Sequence, residues 1–329
     1  MAPEACPGLA AEIDAMERKL LYLHQAKVKK CLCLAACRLP EITREVFSMI
    51  YFSDENIERF IKEDVPYLDL TTHVLAIAGK KGKLEYICRE EAVISGTEEV
   101  ARIFDKLKIK PLRYVASGSR VGAQASIMEA EGNAGELHMA WKAGMNILEY
   151  ASGIATRTNR ILARARQANE KIEVFTTRKI FPGTKELSIK AVVAGGGLPH
   201  RLGLSETVLI FKQHLNFLGG IEGLLSRLSA IKARTCEKKV LVEVETVKDA
   251  LRLCEAGADG LQFDKISPAE LRKAVEQIRA KNNRIIILAA GGINEDNAEA
   301  YAKTGVDGLV TSAVYYGKPV DIGTTIVPL

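Results

Sequence analysis

The second half of the chain repeats one pattern, a short β-rich run followed by an amphipathic helical segment. The β-rich runs recur about every 20–30 residues, at 172–176, 207–211, 240–244, 260–263, 285–289 and 308–311. Segments 247–255 and 269–280 lie between runs and have helical apolar spacing. Such alternation is typical of parallel strands joined by crossover helices. Because six strands are too few for a closed eight-stranded barrel, the pattern predicts an open or incomplete parallel α/β barrel.

The part of the chain from 49 to about 135 has a different rhythm. Short alternating segments at 84–88, 92–94 and 126–129 are separated by glycines, which predicts an antiparallel sheet with a covering helix. Ser53 is a suitable N-cap, since acidic residues follow it in the first helical turn. A long helical pattern at about 137–167 then connects this part to the barrel-like half. The sequence thus predicts two different α/β halves.

The seven cysteines divide into an N-terminal group and three single residues. Cys88, Cys236 and Cys254 lie in apolar surroundings and are expected to be buried thiols of a reducing, cytoplasmic compartment. The other four lie at positions 6, 31, 33 and 37, without the paired CxxC spacing of a metal site. We expect residues 1–48 to be a poorly ordered extension or a misassigned translation start.

Composition excludes several function classes. The net charge is only +5, from 46 basic and 41 acidic residues, and basic and aromatic residues do not interleave, so nucleic acid is not an expected partner. The longest aliphatic stretch, about 285–290, is far shorter than the ~20 residues of a membrane span. A small or polyanionic substrate fits this charge balance.

Chemistry in parallel α/β folds gathers at the edge formed by the carboxyl ends of the strands, which we call the rim. Two carboxylates, Glu243 and Asp264, come at strand ends. Cations follow the first strand, at Arg178, Lys179 and Lys185, and others come ahead of the second, at His200 and Arg201. Small-residue turns after two strands offer backbone N–H groups that suit a phosphate. A glycine turn alone is more often simple geometry, but the combination favours a phosphate-bearing substrate, with the acids suited to a divalent metal or sugar hydroxyls.

From residue 49 to 329 the chain resembles the quinolinate phosphoribosyltransferase family, also called nicotinate-nucleotide pyrophosphorylase, and most closely its ModD branch, which is associated with molybdenum transport operons. The runs that carry the resemblance are 64–72 (DVPYLDLTT), 137–142 (LHMAWK), 177–185 (TRKIFPGTK), 200–207 (HRLGLSET) and 310–313 (VTSA). The resemblance implies an α/β sandwich domain at 49–160 with its linking helix, an incomplete α/β barrel at 161–315, and a segment 316–329 that returns to the sandwich. It also implies a homodimer in which one subunit's sandwich domain covers the other's barrel rim.

The family reaction is a pentosyl transfer that joins a pyridine carboxylate to phosphoribosyl pyrophosphate with Mg²⁺ and releases pyrophosphate. By resemblance, Arg178, His200 and Arg201 bind the acceptor's carboxylates, and Lys179 and Lys190 are basic positions near the acceptor and the pyrophosphate. Glu243 and Asp264 hold the ribose hydroxyls and the metal, and with Lys179 they are the implied catalytic residues. The turns implied to hold the 5′-phosphate are Ala290, Gly291, Gly292, Thr311, Ser312 and Ala313.

Several positions depart from the family pattern. Trp141 and Lys142 stand where the family has a Glu-Arg pair whose arginine serves the partner's site, and a lysine cannot reproduce a bidentate carboxylate grip. Phe211 replaces a substrate-binding lysine, and the adjacent Lys212, if it lies in a strand, points to the opposite face. Ala290 and Gly292 replace a serine and an asparagine, and Lys265 replaces an asparagine. The phosphate and metal half of the site is thus retained, whereas the half that binds a dicarboxylate is reduced.

Three functional hypotheses follow. The leading one is a Mg²⁺-dependent phosphoribosyltransferase whose acceptor is a planar, small aromatic or heterocyclic anion, with quinolinate only one candidate. The second is a non-catalytic binding or accessory protein of molybdate metabolism on the same fold. The third is a barrel enzyme that acts on a phosphorylated sugar without releasing pyrophosphate. The joint presence of Glu243, Asp264, Arg178 and Lys179 favours the first, because a binder without turnover has no need of the acids on the metal side.

Overall fold

The structure, a computed structural model, describes residues 50–329. The expectations for residues 1–48, including their four cysteines, lie outside the described residues. No helix in the described part of the chain is both long enough and apolar enough to cross a membrane.

The first half of the described chain builds an antiparallel sheet with helices against it. Helix α1 (Asp54–Asp64) has Ser53 as its N-cap, and the Ser53 hydroxyl accepts a hydrogen bond from the Asn56 backbone N–H at 3.2 Å, which confirms the predicted helix start. The elements that follow are α2 (Leu70–Val74), β1 (Lys81–Cys88), β2 (Ala92–Val93), α3 (Thr97–Lys106), β3 (Lys110–Tyr114), β4 (Arg120–Val121) and β5 (Ala125–Asn133).

The long helix α4 (Ala134–Ala168) connects the two halves. It runs unbroken through residue 160, the predicted end of the sandwich domain. Its N-terminal part packs on β1, where the Tyr86 hydroxyl donates to the Trp141 carbonyl at 2.9 Å. Gly144 makes this close approach possible, because a Cβ there would lie 2.5 Å from the Tyr86 hydroxyl oxygen.

The second half alternates strands and helices. Its elements are β6 (Glu173–Thr176), α5 (Lys185–Ala194), β7 (Leu198–Pro199), β8 (Val208–Ile210), α6 (Lys212–Leu218), α7 (Gly220–Leu225), α8 (Leu228–Arg234), β9 (Val240–Val244), α9 (Val247–Glu255), β10 (Gly260–Asp264), α10 (Pro268–Lys281), β11 (Ile286–Ala290), α11 (Ala298–Ala302), β12 (Gly308–Thr311) and β13 (Ile322–Pro328). Six of these strands were predicted from the sequence. The two-residue β7 is too short to give a periodicity signal.

Strands β6 to β12 form one parallel sheet, in the order β7-β6-β12-β11-β10-β9-β8. Successive side chains alternate between its two faces. One face packs against the helices, and the other carries a smaller apolar cluster of Leu209, Leu241, Leu288, Ala290 and Val310. This sheet is the incomplete barrel, and the smaller cluster fills its interior.

The chain ends in the first half's sheet. Strand β13 pairs antiparallel with β1, with Leu84 opposite Ile326, and the sheet order is β13-β1-β5-β3. Together, this antiparallel sheet and the parallel half-barrel confirm the predicted mixed α/β fold class.

The three described cysteines do not share one environment. Cys88 and Cys254 are buried free thiols, as predicted, and burial raises the pKa of each. The prediction for Cys236 is wrong, because its side chain is exposed. It lies just beyond the C-cap of α8 at Thr235, in a connection that the parallel sheet does not cover.

Candidate active site

A cavity of about 270 Å³ opens at the rim of the parallel sheet. Four of the predicted site residues line it together, Arg178, Lys179, His200 and Arg201. The other lining residues are Thr177, Leu209, Phe211, Gln262 and Val310. Strand ends that are far apart in sequence thus bring a cluster of cations over an apolar floor.

The loop after β6 carries two of these cations and is fastened to the end of β12. The Thr177 backbone N–H donates to the Thr311 carbonyl at 3.0 Å, and the hydroxyls of Thr177 and Ser312 lie 2.6 Å apart. The Tyr315 hydroxyl donates to the Thr177 carbonyl at 3.3 Å. These bonds fix the start of the loop, so that the next two residues, Arg178 and Lys179, reach the cavity.

His200 and Arg201 follow the short strand β7. The His200 backbone N–H donates to the Thr176 carbonyl at 2.9 Å, and its ring meets Phe175 edge-on at 6.3 Å between centroids. Burial, and then the positive charge of Arg201, lower the pKa of His200 below its usual 6.5. The imidazole is therefore mainly neutral at pH 7. The Arg201 guanidinium lies 5.7 Å from the centroid of the Phe211 ring.

Phe211 forms an aromatic wall where strand β8 gives way to helix α6. The strand ends at Ile210, and Phe211 is the N-cap of α6, its backbone N–H donating to Nδ1 of His214 at 3.0 Å. Lys212 is therefore in a helix, so the side-chain alternation of a strand does not apply to it. Its ammonium is 3.3 Å from the carboxylate of Glu245.

The two predicted acids lie beside the cavity on neighbouring strands. Glu243 is paired in register with Gln262, and Asp264 ends β10 two residues further on, so strand alternation puts all three side chains on the interior face. The Gln262 side-chain amide donates to Oε2 of Glu243 at 3.0 Å. Burial raises the pKa of Glu243 above 4.5, and the negative charges of Asp264 and Glu245 add to the rise against the hydrogen bond from Gln262.

The donor set fits a weakly held hard cation. Glu243 and Asp264 offer carboxylate oxygens, and no group of three or more His, Cys, Asp or Glu side chains within residues 50–329 could hold a metal alone. Mg²⁺ is commonly bound by one or two carboxylates together with substrate phosphates and water. The two acids therefore suit a Mg²⁺ ion that arrives with a phosphorylated substrate better than they suit a four-ligand zinc site.

The two predicted phosphate turns follow the adjacent strands β11 and β12. Gly291 and Gly292 have φ values of +85° and +76°, and a Cβ on Gly291 would lie 2.5 Å from Oδ1 of Asp264. The backbone of the first turn therefore lies in close contact with the Asp264 carboxylate. In the second turn the Thr311 hydroxyl donates to the Ile293 carbonyl at 2.6 Å and accepts from the Ala313 backbone N–H at 2.9 Å. Ala313 therefore already uses the N–H that the prediction assigned to phosphate.

Lys190 requires a correction. It lies on α5, outside the cavity lining, and its side chain is 2% exposed. Its ammonium is 2.7 and 2.8 Å from the two carboxylate oxygens of Glu99 and 2.9 Å from one of Glu98, both on α3 of the first half. The prediction that Lys190 binds substrate is therefore wrong in this structure, because two carboxylates already surround the buried ammonium.

Lys142 also lies away from the cavity of its own chain. It is exposed on α4, with its ammonium 4.6 Å from the centroid of the Trp141 ring. A contact between Lys142 and a substrate in this cavity is therefore not made within the protomer.

Gln262, which links the cavity to the acid Glu243, is not among the site residues predicted from the sequence. A signal was present, because Gln262 is the polar residue inside the otherwise apolar run GLQF. Its place two residues before Asp264 puts both side chains on one face of the strand.

Comparison with known proteins identifies the family of the chain. The family model described as quinolinate phosphoribosyl transferase, C-terminal domain, matches residues 154–325, and the N-terminal domain model matches residues 69–152. A protein from Pasteurella multocida that carries the name pyrophosphorylase ModD is 34% identical over 278 residues, 84% of this chain and 99% of its own. A protein of Methanothermobacter thermautotrophicus named as a carboxylating nicotinate-nucleotide pyrophosphorylase is 35% identical, over 82% of this chain and 97% of its own.

The fold is similar to a solved structure as well. The nicotinate-nucleotide pyrophosphorylase from Francisella tularensis superposes with a TM-score of 0.75 at 26% identity, over 84% of this chain and 98% of that one. Two domain models in the expected order and relatives matched over nearly their whole length agree with the two-part fold described above. The chain belongs to the quinolinate phosphoribosyl transferase family.

Proposed function

We propose that the protein is a Mg²⁺-dependent phosphoribosyltransferase that joins a planar carboxylate to phosphoribosyl pyrophosphate and releases pyrophosphate. One observation carries the proposal: three cationic side chains and the neutral imidazole of His200 line a cavity at the rim, beside Glu243 and Asp264. Cations above an apolar floor suit a flat anionic ring, and the adjacent acids suit a sugar with a metal-bound phosphate.

The proposed reaction is a displacement at the anomeric carbon of the phosphoribosyl group. A bond forms from a ring atom of the acceptor to that carbon, the bond to the pyrophosphate oxygen breaks, and its electron pair leaves with pyrophosphate. When bound, Mg²⁺ would neutralise charge on the departing pyrophosphate. Glu243 and Asp264 would hold the ribose hydroxyls and the ion and stabilise the developing positive charge on the sugar.

The cations would bring two anions together. Arg178 and Arg201 would bind the acceptor carboxylate through their guanidinium groups, with neutral His200 as a hydrogen-bond partner. Lys179 lines the cavity beside Arg178, and its positive charge opposes the rise in the pKa of Glu243, which supports a role on the pyrophosphate side. Much of the rate would come from holding the two mutually repelling substrates in reacting geometry.

A homodimer with shared sites is part of the proposal. Lys142 does not line its own cavity and can serve a substrate only from a neighbouring subunit. Large apolar side chains are exposed in the first half at Tyr67, Leu70 and Val74, and near the rim at Phe181 and Leu204, which supports burial in an interface. Light scattering coupled to gel filtration tests the dimer, which a monomeric mass would refute.

The function is tested by measuring pyrophosphate release from phosphoribosyl pyrophosphate and Mg²⁺ with quinolinate, with nicotinate and without acceptor. Asp264→Ala should abolish turnover and leave the fold intact. Glu245→Ala is the matched control, since this exposed rim carboxylate is paired with Lys212 and should leave turnover unchanged. Unchanged activity of Asp264→Ala would remove that acid from the mechanism.

A failure of wild-type protein to bind phosphoribosyl pyrophosphate would refute the transferase. Binding without turnover for either acceptor would point to a different acceptor or to the accessory role. The link to molybdenum transport and the cytoplasmic location remain proposals, supported respectively by the ModD branch and by the buried free thiols of Cys88 and Cys254.

A further inference from the structure

Gln262 is a buried polar side chain at the bottom of the active-site cavity. It is 4% exposed and lines the cavity together with the apolar side chains of Leu209 and Val310. Its carbonyl oxygen, Oε1, has no hydrogen-bond partner within residues 50–329. A buried carbonyl without a donor is destabilising, so a strand that keeps a glutamine at this position calls for a functional reason.

The orientation of the Gln262 amide follows from its neighbour. The side-chain nitrogen is 3.0 Å from Oε2 of Glu243, and an ionised carboxylate can only accept hydrogen bonds. The nitrogen must therefore face Glu243. This leaves Oε1 as the atom that lacks a partner, and Oε1 can only accept.

The lining of the cavity indicates which substrate Gln262 meets. Glu243 and Asp264 do not line the cavity, whereas Gln262 lines it with the cations and Phe211. Strands rise about 3.3 Å per residue, so Gln262 also lies about 6.6 Å deeper in the barrel than Asp264, two residues later. A flat ring that fills the cavity would therefore reach Gln262.

We propose that Gln262 is a specificity residue, and that the acceptor is an anionic planar heterocycle carrying an N–H or O–H group that donates to Oε1 of Gln262. This inference rests on the proposed function and narrows its acceptor class. The cations bind the anionic group, the Phe211 ring flanks the plane of the heterocycle, and Gln262 receives the donor. Quinolinate at neutral pH presents two carboxylates and a ring nitrogen, all acceptors, and cannot satisfy Gln262. The preferred acceptor is therefore chemically distinct from quinolinate.

The test uses matched pairs of ring probes. Nicotinates with an amino group at each free ring position are compared with nicotinates that carry a methyl group at the same position, because the two groups are similar in size and only the amino group donates. Affinities are measured by calorimetry with Mg²⁺ for the wild-type protein, Gln262→Met and Gln262→Glu. Phosphoribosyl pyrophosphate binding is measured in parallel, and circular dichroism checks the fold of each variant.

At one ring position the wild-type protein should bind the amino probe at least tenfold more tightly than the methyl probe. Gln262→Met, which has no acceptor, should lose this preference, whereas Gln262→Glu, which keeps an acceptor oxygen, should retain it. Binding of unsubstituted nicotinate should change less than threefold in Gln262→Met. A role limited to orienting Glu243 would instead change the Mg²⁺ dependence and the phosphoribosyl pyrophosphate affinity equally in both variants.

Two failures are distinguishable. If the wild-type protein does not bind phosphoribosyl pyrophosphate, the proposed function falls. If it binds phosphoribosyl pyrophosphate but shows no amino-over-methyl preference at any position, including the case in which no ring binds, this inference alone is overturned. It is also overturned if Gln262→Met weakens phosphoribosyl pyrophosphate and leaves the amino preference intact, because Gln262 would then contact the ribose.

Discussion

Replacing Lys190 with methionine separates a structural role from a substrate-binding role. The Lys190 ammonium is buried between α5 and α3, within 2.9 Å of carboxylate oxygens of both Glu98 and Glu99. Methionine nearly preserves the volume of the side chain and removes its charge. The Glu99 carboxylate, only 4% exposed, then loses a cationic partner in a place that water does not reach.

The size of the effect follows from the chemistry of the carboxyl left behind. A buried carboxylate without a partner becomes neutral, and protonating a glutamate of ordinary pKa 4.3 at pH 7 costs about 3.7 kcal/mol, at about 1.4 kcal/mol per pKa unit. This lies within the roughly 3–5 kcal/mol typical of breaking a buried ion pair. At pH 5 the same protonation costs only about 1 kcal/mol. The stability lost in the variant should therefore be larger at pH 7 than at pH 5.

Urea denaturation followed by circular dichroism at pH 7, 6 and 5 measures this loss. Lys190→Met should cost about 3–5 kcal/mol at pH 7, with the deficit shrinking towards pH 5. Combining it with Glu99→Gln should restore most of the stability at pH 7, because the buried Glu99 charge is then removed as well, while Glu98 is partly exposed and keeps its hydrogen bonds from Ser117. A loss below about 1 kcal/mol at pH 7, or one that does not shrink at pH 5, would refute the reasoning. Full stability with weakened phosphoribosyl pyrophosphate binding would restore Lys190 to the substrate site.

Three further outcomes are expected. Gly291→Ala should lower turnover more than tenfold, because its Cβ would lie 2.5 Å from Oδ1 of Asp264. Gly292 has a similar positive φ but no atom within 4 Å of its Cβ, so Gly292→Ala should cost only the backbone strain of about 1–2 kcal/mol. Equal activities of the two variants would contradict this expectation. Gly144→Ala should lower the thermal midpoint by several degrees, since the added methyl meets a core tyrosine hydroxyl, and an unchanged midpoint would count against the packing argument. Because the pKa of His200 lies below 6.5, acceptor affinity measured by calorimetry should rise as the pH falls below 6.5 and the imidazole gains charge, and His200→Gln should abolish this rise.

The fold was largely predictable because its signals are local. Strands β9 and β12 have the predicted bounds, as does helix α9, since each element combines a strong apolar pattern with a clear turn beside it. Two of the strands that were not predicted show what such a signal requires. Strand β7 has only two residues, and β3 (KPLRY) is exposed along its whole length and contains a proline, so hydrophobic alternation could not identify it.

The candidate site was predictable where strand order alone determines position. Arg178 and Lys179 follow a predicted parallel strand, and the carboxyl ends of such strands meet at one edge, so these two side chains reach the rim whatever the details of packing. His200 and Arg201 instead follow β7, which the sequence did not predict. The position of Lys190, in contrast, could not be predicted from strand order. It lies on a helix, and its partner Glu99 is 91 positions earlier in the chain, in the other half of the fold. Nothing in the local sequence distinguishes a lysine directed at the rim from one directed at a distant helix.

Gln262 and Lys190 illustrate two different roles of a buried polar side chain in this fold, one in substrate recognition and one in stability. The buried charge of Lys190 is held between carboxylates, so it can join α5 to the first half without needing a ligand. Gln262 is equally buried, yet only its nitrogen is satisfied, by Glu243 on the neighbouring strand. Lys190, which stabilises the fold, has its partners within the chain, whereas Gln262, which we propose recognises a ligand, has one hydrogen-bond acceptor without a partner. Gln262 lines the cavity together with the cations, so the identity of the acceptor should depend on Gln262 as much as on the arginines.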